Sequence, residues 1–368
     1  MKKECNQKKD ILSLPFAALE IEMQRLGQPK FRSKQIYQWL HIKLADDFAD
    51  MHNLPKAFRQ VLASDYEIAK LTVVQKQVSK EDGTVKYLFA LADGNTIESV
   101  YMPYRHGNAV CISSQVGCGM GCIFCASAQG GLVRNLTVSE LLGQVYQIQR
   151  LSGKRVANVV LMGTGEPLHN FAHLVTFVRM LSDAHGLQIS QRNITVSTCG
   201  LVPEILALAE EKLQITLALS LHGASQEKRV AWMPIARKYP LDMVLDACDI
   251  YFAKTGRRIT YEYTLIAGVN DIKADAAELA ELLKGKNAHL NLIPINPIQG
   301  QDAQKPNRQS TLNFKNKLEK SGINVTIRRE MGADMDAACG QLRSNHREMS
   351  VEIDGACGQL RRAVLEKE

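Results

Sequence analysis

The 368-residue sequence has no run of about 18 consecutive apolar residues, which excludes an ordinary membrane-spanning helix. It also lacks an apolar segment behind its polar and basic start, Met1 to Lys9, so no export leader is expected and a cytoplasmic location is. Cysteine is not scarce. There are nine, four of them between Cys111 and Cys125, and such crowding in a cytoplasmic chain indicates metal or redox chemistry rather than a disulfide framework. A formal net charge of +7 favours a polyanionic partner, a weak signal by itself because many basic proteins bind no nucleic acid. At 45% hydrophobic and 23% charged, the chain has enough apolar residues for one large α/β domain with a smaller attachment.

Residues from about Leu12 to Val61 read as short amphipathic helices, with Ala17–Met23 and Lys34–Leu40 at helical spacing. Their cations, Lys30, Arg32, Lys34 and Lys43, suit either a phosphate backbone or a plain solvated face. Two β-rich runs, Lys86–Leu91 and Thr96–Met102, flank Asp93-Gly94-Asn95 and predict a hairpin. From Ala109 onward β-prone runs (Ala109–Ser113, Asn158–Met162, Ile194–Ser197, Ile215–Leu221, Ile259–Ile266, Leu290–Pro294, Val325–Ile327) alternate with helical patterns. That alternation predicts parallel strands with right-handed crossovers, an α/β fold of the partial (β/α)6 TIM-like kind, with its chemistry at the C-terminal strand ends. The expected division is a helical RNA-binding accessory domain over 1–65, a β-hairpin linker over 66–105, the partial barrel over 106–328 and a C-terminal tail over 329–368.

The strongest signal is Cys118-Gly-Met-Gly-Cys122-Ile-Phe-Cys125, a C-x3-C-x2-C loop straight after a strand. Three thiolates can ligate three irons of a cubane and leave the fourth iron open, whereas a closed zinc site needs a fourth ligand. No His or Cys follows at zinc-finger spacing; a zinc site would have to recruit His106 or a distant His. A zinc-stabilised RNA-binding protein would account for charge and triad, but not for the ordered strand-end motifs further along the chain.

These motifs resemble the radical S-adenosylmethionine (SAM) superfamily. Gly163-Thr164-Gly165-Glu166-Pro167 resembles its GGE-type motif, and Ser197, Ser220-Leu221-His222 and Asn296 fall where the superfamily contacts SAM. The resemblance implies a [4Fe-4S] cluster on Cys118, Cys122 and Cys125, with SAM held by Gly165, Glu166, Ser197, Ser220, Leu221, His222 and Asn296. Within the superfamily, Cys111-Ile-Ser-Ser-Gln-Val-Gly-Cys118, Arg134-Asn-Leu-Thr137, Met162–Leu168, Gly268-Val-Asn-Asp271 and Asp336-Ala-Ala-Cys339-Gly-Gln-Leu342 resemble the RlmN/Cfr adenine methyltransferases over nearly the whole chain. A glycyl-radical activase would keep the triad and lose Cys111 and Cys339.

An adenine ring carbon is no nucleophile, so methylation there needs another route than direct attack on SAM. The resemblance implies a relay in which Cys339 is methylated by one SAM, a second SAM yields the adenosyl radical, and Cys111 releases product by forming a disulfide with Cys339. It assigns Glu98 as proton acceptor or base-orienting group, although a Glu on a hairpin strand is more often plain surface charge. Cys5, Cys199 and Cys248 match no functional position and read as inert. Pro167 and Asn291-Leu-Ile-Pro294 are similar to the RlmN pattern, which implies methylation of adenine C2 in 23S rRNA, with tRNA as a further candidate; the alternative is Cfr-type C8 methylation with antibiotic resistance. Thr164 and Ala236 depart from the family pattern. A monomer is expected, supplied with electrons by a flavodoxin or ferredoxin. The tail repeats itself at an offset of 18, Arg329–Arg343 against Arg347–Arg361, and so offers Cys339 and Cys357 as methyl carriers; the register after Ile327 favours Cys339.

Overall fold

The computed structural model describes residues 8–296, 303–332, 334, 335 and 342; Cys5, Cys339, Cys357 and most of the tail repeat lie outside them. Three helices open the described chain: α1 (Phe16–Arg25), α2 (Phe31–His41) and α3 (Lys56–Asp65). Each buries residues a turn apart, Leu19 with Met23, Ile36 with Leu40 and Phe58 with Leu62, as the helical period requires. The opposite faces leave Lys30, Lys34 and Lys43 exposed. Arg32 is half-buried and donates to Gln35 and to the Asn53 carbonyl, and Lys43 lies over the Trp39 ring.

One ten-stranded sheet carries the rest. Its strands are β1 (Thr72–Val78), β2 (Val85–Ala90), β3 (Thr96–Met102), β4 (Asn108–Ile112), β5 (Val156–Leu161), β6 (Ile194–Thr198), β7 (Thr216–Ser220), β8 (Ile259–Leu265), β9 (Ala288–Pro294) and β10 (Val325–Ile327). Neighbours in the sheet follow chain order; β1 to β4 pair antiparallel and β4 to β10 pair parallel. Parallel neighbours need crossovers, supplied by α4 (Val138–Ser152), α5 (Phe171–Leu181), α6 (Val202–Glu210), α8 (Leu241–Thr255), α9 (Lys273–Leu283) and α10 (Arg308–Lys320), with α7 (Gln226–Trp232) inserted before α8. This is the expected α/β radical SAM architecture. The expected hairpin is β2–β3, but its strands extend the barrel's own sheet, so the pairing row Lys86–Val100–Cys111–Val160 crosses β2 to β5. Glu98 is accordingly buried, not a surface charge.

The crossover α4 explains one of the sequence motifs. Thr137 caps it in a capping box with Glu140, and Arg134 clasps Glu140 through two 2.8 Å hydrogen bonds while also reaching Asp93 in the β2–β3 turn. Arg134 to Thr137 is therefore a helix-start clasp behind the site.

The N-terminal helices dock on α4 through a buried polar contact. The Tyr146 hydroxyl lies 2.8 Å from His41 Nδ1, and His41 Nε2 has no hydrogen-bond partner among the described residues. Burial holds the His41 pKa down to about 3, from an ordinary 6.5. In that interval the unfolded chain takes up a proton that the folded chain refuses, so the contribution is whole above pH 6.5 and is lost as pH falls toward 3. Between pH 7 and pH 5 the loss at this one site is about 2 kcal/mol. Urea unfolding of His41→Gln at both pH values should show a pH dependence weaker by that amount; parallel curves for variant and wild type would dismiss the assignment.

Candidate active site

A short ribbon, Gln115–Gly117 against Leu132–Asn135, closes the loop that bears the three cysteines. Cys118 N donates to the Gly131 carbonyl at 3.0 Å where the two ends meet. Gly117 sits there at φ +78°, and a Cβ on it would stand 2.0 Å from the Gly131 oxygen, so no other residue fits without moving the backbone. The far side of the loop rests on α7: Ile123 N donates to the Trp232 carbonyl at 3.1 Å, and Phe124 packs against Trp232 and edge-on to His222.

Cys118 is buried, and Cys122 and Cys125 are half-buried. Burial, reinforced by the neighbouring thiols, pushes Cys118 up to about 11 and Cys122 up to about 12. Sulfurs such as those of Cys118 and Cys122, which resist ionisation on their own, suit a polynuclear cation that would stabilise them as thiolates. Among the described residues no three His, Cys, Asp or Glu side chains stand close enough to share one metal ion. Ligands to three separate irons of a cubane need not converge on one point.

Beside the loop, Ser197, Ser220, His222 and Asn296 line one cavity of about 230 Å³ together with Cys125 and Phe124. The two serine hydroxyls are 3.3 Å apart. His222, at φ +55°, accepts from Thr264 N at Nδ1, and burial holds its pKa down to about 3, leaving a neutral ring with hydrogen on Nε2. Gly165, Glu166 and Leu221 do not line this cavity. Both Glu166 oxygens accept backbone N–H groups, from Leu168 at 3.0 Å and Cys199 at 2.8 Å, and burial raises its pKa. Gly165, at φ +109°, lies so close to Gln115 that a Cβ would stand 2.6 Å from its side chain. Thr164 is buried and faces Ser127 Oγ at 3.3 Å, while Ala236 is fully buried behind α7.

A second cavity, about 80 Å³, is lined by Cys111, Val100 and Met102 from the sheet, by Tyr104 just after β3 and by Met331. Ile293 and Arg328 line both cavities and form their common wall. Glu98, two residues before Val100 on β3, pairs with Lys86 Nζ at 3.2 Å with both side chains almost fully buried. Sequence reasoning missed Lys86, Glu262 and Arg328. Glu262 lines the larger cavity, accepts from Asn291 Nδ2 at 2.9 Å and has its pKa raised by burial. The alternation Tyr261-Glu262-Tyr263-Thr264 carried the signal, with tyrosines buried against helices and polar residues facing inward.

Residues 112–283 match the model of the Radical SAM superfamily, and residues 9–68 match that of the ribosomal RNA large subunit methyltransferase N-terminal domain. A probable dual-specificity RNA methyltransferase RlmN from Lachnoclostridium phytofermentans is 58% identical over 340 residues, 92% of this chain and 96% of the relative. Its counterpart from Clostridium perfringens is 48% identical over 338 residues, covering 92% of this chain and 97% of the relative. The crystal structure of a radical SAM methyltransferase from Sphaerobacter thermophilus superposes with a TM-score of 0.87 at 41% identity, covering 90% of this chain and 98% of that one. Geometry and relatives agree: the chain belongs to the RlmN family of radical SAM RNA methyltransferases.

Proposed function

We propose that the protein methylates C2 of an adenine in 23S rRNA, and in tRNA as a second substrate, through a methyl-cysteine relay that consumes two SAM per turnover. The relatives' name, dual-specificity RNA methyltransferase, favours two RNA classes. The observation that carries the relay is the position of Cys111: a buried thiol on the inner face of β4, in a cavity that shares a wall with the serine, histidine and asparagine cavity.

Cys118, Cys122 and Cys125 are the ligands of the [4Fe-4S] cluster, which when bound supplies the electron that cleaves SAM. Ser197, Ser220, His222 and Asn296 hold SAM directly. Gly165, Glu166 and Leu221 would complete the SAM-binding set from the turns beside the cavity, with Glu166 fixed by the Leu168 and Cys199 N–H groups. Cys339 accepts the first methyl group. Cys111 then attacks the Cys339 sulfur of the protein–RNA adduct; the S–S bond forms, the S–CH2 bond breaks, and the freed carbon takes a proton. Glu98 is the proton acceptor at the base, held in place by Lys86.

Replacing any one of Cys118, Cys122 or Cys125 by Ala should abolish both the broad visible absorption of the reconstituted protein and reductive SAM cleavage. Full cleavage in one of these variants would remove that cysteine from the ligand set.

Cys111→Ala should accumulate protein with RNA attached, seen as a nuclease-sensitive gel shift, while normal turnover would strip Cys111 of its role. Nucleoside mass spectrometry of the wild-type product should give 2-methyladenosine; chiefly 8-methyladenosine would assign the C8 reaction. Labelled methyl from SAM should reside on tryptic peptide 330–343, which holds Cys339, and its appearance chiefly on 348–361 would transfer the carrier role to Cys357.

A further inference from the structure

Arg229 is a large side chain with no exposure at all, at the centre of α7. Its Nη2 donates to the Cys199 carbonyl at 2.5 Å. Nε and Nη1 have no hydrogen-bond partner among the described residues. Room for the group is built into the backbone: a Cβ on Gly200, itself at φ +101°, would stand 3.0 Å from Nη2, and one on Gly223 would stand 2.8 Å from the Arg229 amide nitrogen.

A guanidinium stays charged in proteins, so burying one calls for a counter-charge. Among the described residues no carboxylate forms an ion pair with Arg229. The ionisable side chains whose charge state it influences are the thiols of Cys199, Cys122 and Cys248 and the ring of His222. Cys199 and Cys248 are deeply buried thiols that burial keeps protonated. Cys122 alone belongs to the ligand loop, and that loop is tied to α7 less than one turn beyond Arg229, through Ile123 N and the Trp232 carbonyl. The unpaired cation and the iron-binding loop therefore share one small helix.

We propose that Arg229 is the built-in counter-charge of the iron-sulfur cluster, a positioning residue whose buried guanidinium favours the reduced cluster and so raises its reduction potential. The inference rests on the ligand assignment of Cys118, Cys122 and Cys125. An oxidised cubane core with two positive charges on three thiolates carries one net negative charge, and a one-electron reductant raises that to two. A fixed cation nearby lowers the energy of the second state more than the first, and low local dielectric amplifies the difference. The two unpartnered nitrogens of Arg229 offer N–H groups toward thiolate or sulfide, the other recognised means of raising such a potential.

The test uses the full-length protein reconstituted anaerobically with iron and sulfide, with iron content measured alongside an EPR-monitored reductive titration. Arg229→Gln keeps a polar side chain and removes the charge; it should lower the equilibrium constant for one-electron reduction by about tenfold, a midpoint about 59 mV more negative. Arg229→Lys should stay near wild type. A Gln variant that loads iron and keeps the wild-type midpoint overturns the proposal. Loading by Lys but not by Gln ties the positive charge to cluster assembly and supports it, whereas failure of both variants to load makes Arg229 a packing residue and overturns it. Wild-type protein that takes up no iron would instead overturn the ligand assignment.

Discussion

Between Cys111 and Cys118 lie residues whose hydrogen bonds run mainly to other strand ends, and this junction holds the site in register. Ser113 Oγ donates to the Glu98 carbonyl and accepts from Thr164 N, so β3, β4 and the end of β5 meet on one hydroxyl. Ser114 N donates to the Thr164 carbonyl, and the Ser114 carbonyl accepts from Asn170 and from Leu136 N. Gln115 accepts from Glu166 N and donates to Asn135, which joins the glycine-rich turn to the ribbon closing the cysteine loop. Behind them Gln144 of α4 bridges Ser99 to the Ser113 backbone, entirely buried. A buried network of this sort is stabilising only when complete, because each orphaned group would forfeit its hydration without compensation. Loss of one member would shift the cysteine loop and the glycine turn together.

Much of this architecture was legible in the sequence because it depends on periodic signals. The β-prone runs from Ala109 to Ile327 and the helical stretches between them follow from side-chain alternation and apolar spacing, and in a parallel sheet they leave few topologies open. The cysteine loop stood out for a different reason: the C-x3-C-x2-C spacing of Cys118, Cys122 and Cys125 is local and needs no tertiary structure to be seen. Glu98 shows where local reading fails. A carboxylate on a hairpin strand looks exposed until the hairpin is known to join the barrel's sheet, and that junction is a tertiary contact that leaves no mark on residues 96–102.

Glu166 shows a second kind of failure. The motif places it correctly at the end of β5, yet spacing is silent on which atoms a carboxylate will meet. Its oxygens accept from the backbone at Leu168 and Cys199, so it links the turn after β5 to the turn after β6. Cys199, inert by sequence, is thereby a fixed point of the fold: its amide binds Glu166 and its carbonyl binds Arg229. The glycine beside it, at φ +101°, keeps that junction tight enough for both contacts.

The two deeply buried cations of the barrel region follow from the same electrostatic requirement and reach opposite solutions. Lys86 lies on the inner sheet face and is matched by Glu98, giving a pair with no net charge beside the cavity of Cys111. Each partner depends on the other, because truncating either would strand the remaining charge in low dielectric. Arg229, on the helix that carries the cysteine loop's contact at Trp232, has no such acid among the described residues and donates instead to the Cys199 carbonyl. Had the fold supplied a carboxylate there, the pair would have satisfied itself and a negatively charged cluster would have met no net attraction. On the proposal made above, that unmatched charge would draw negative charge toward the cysteine loop, while the neutral pair would leave the surroundings of Cys111 without net charge.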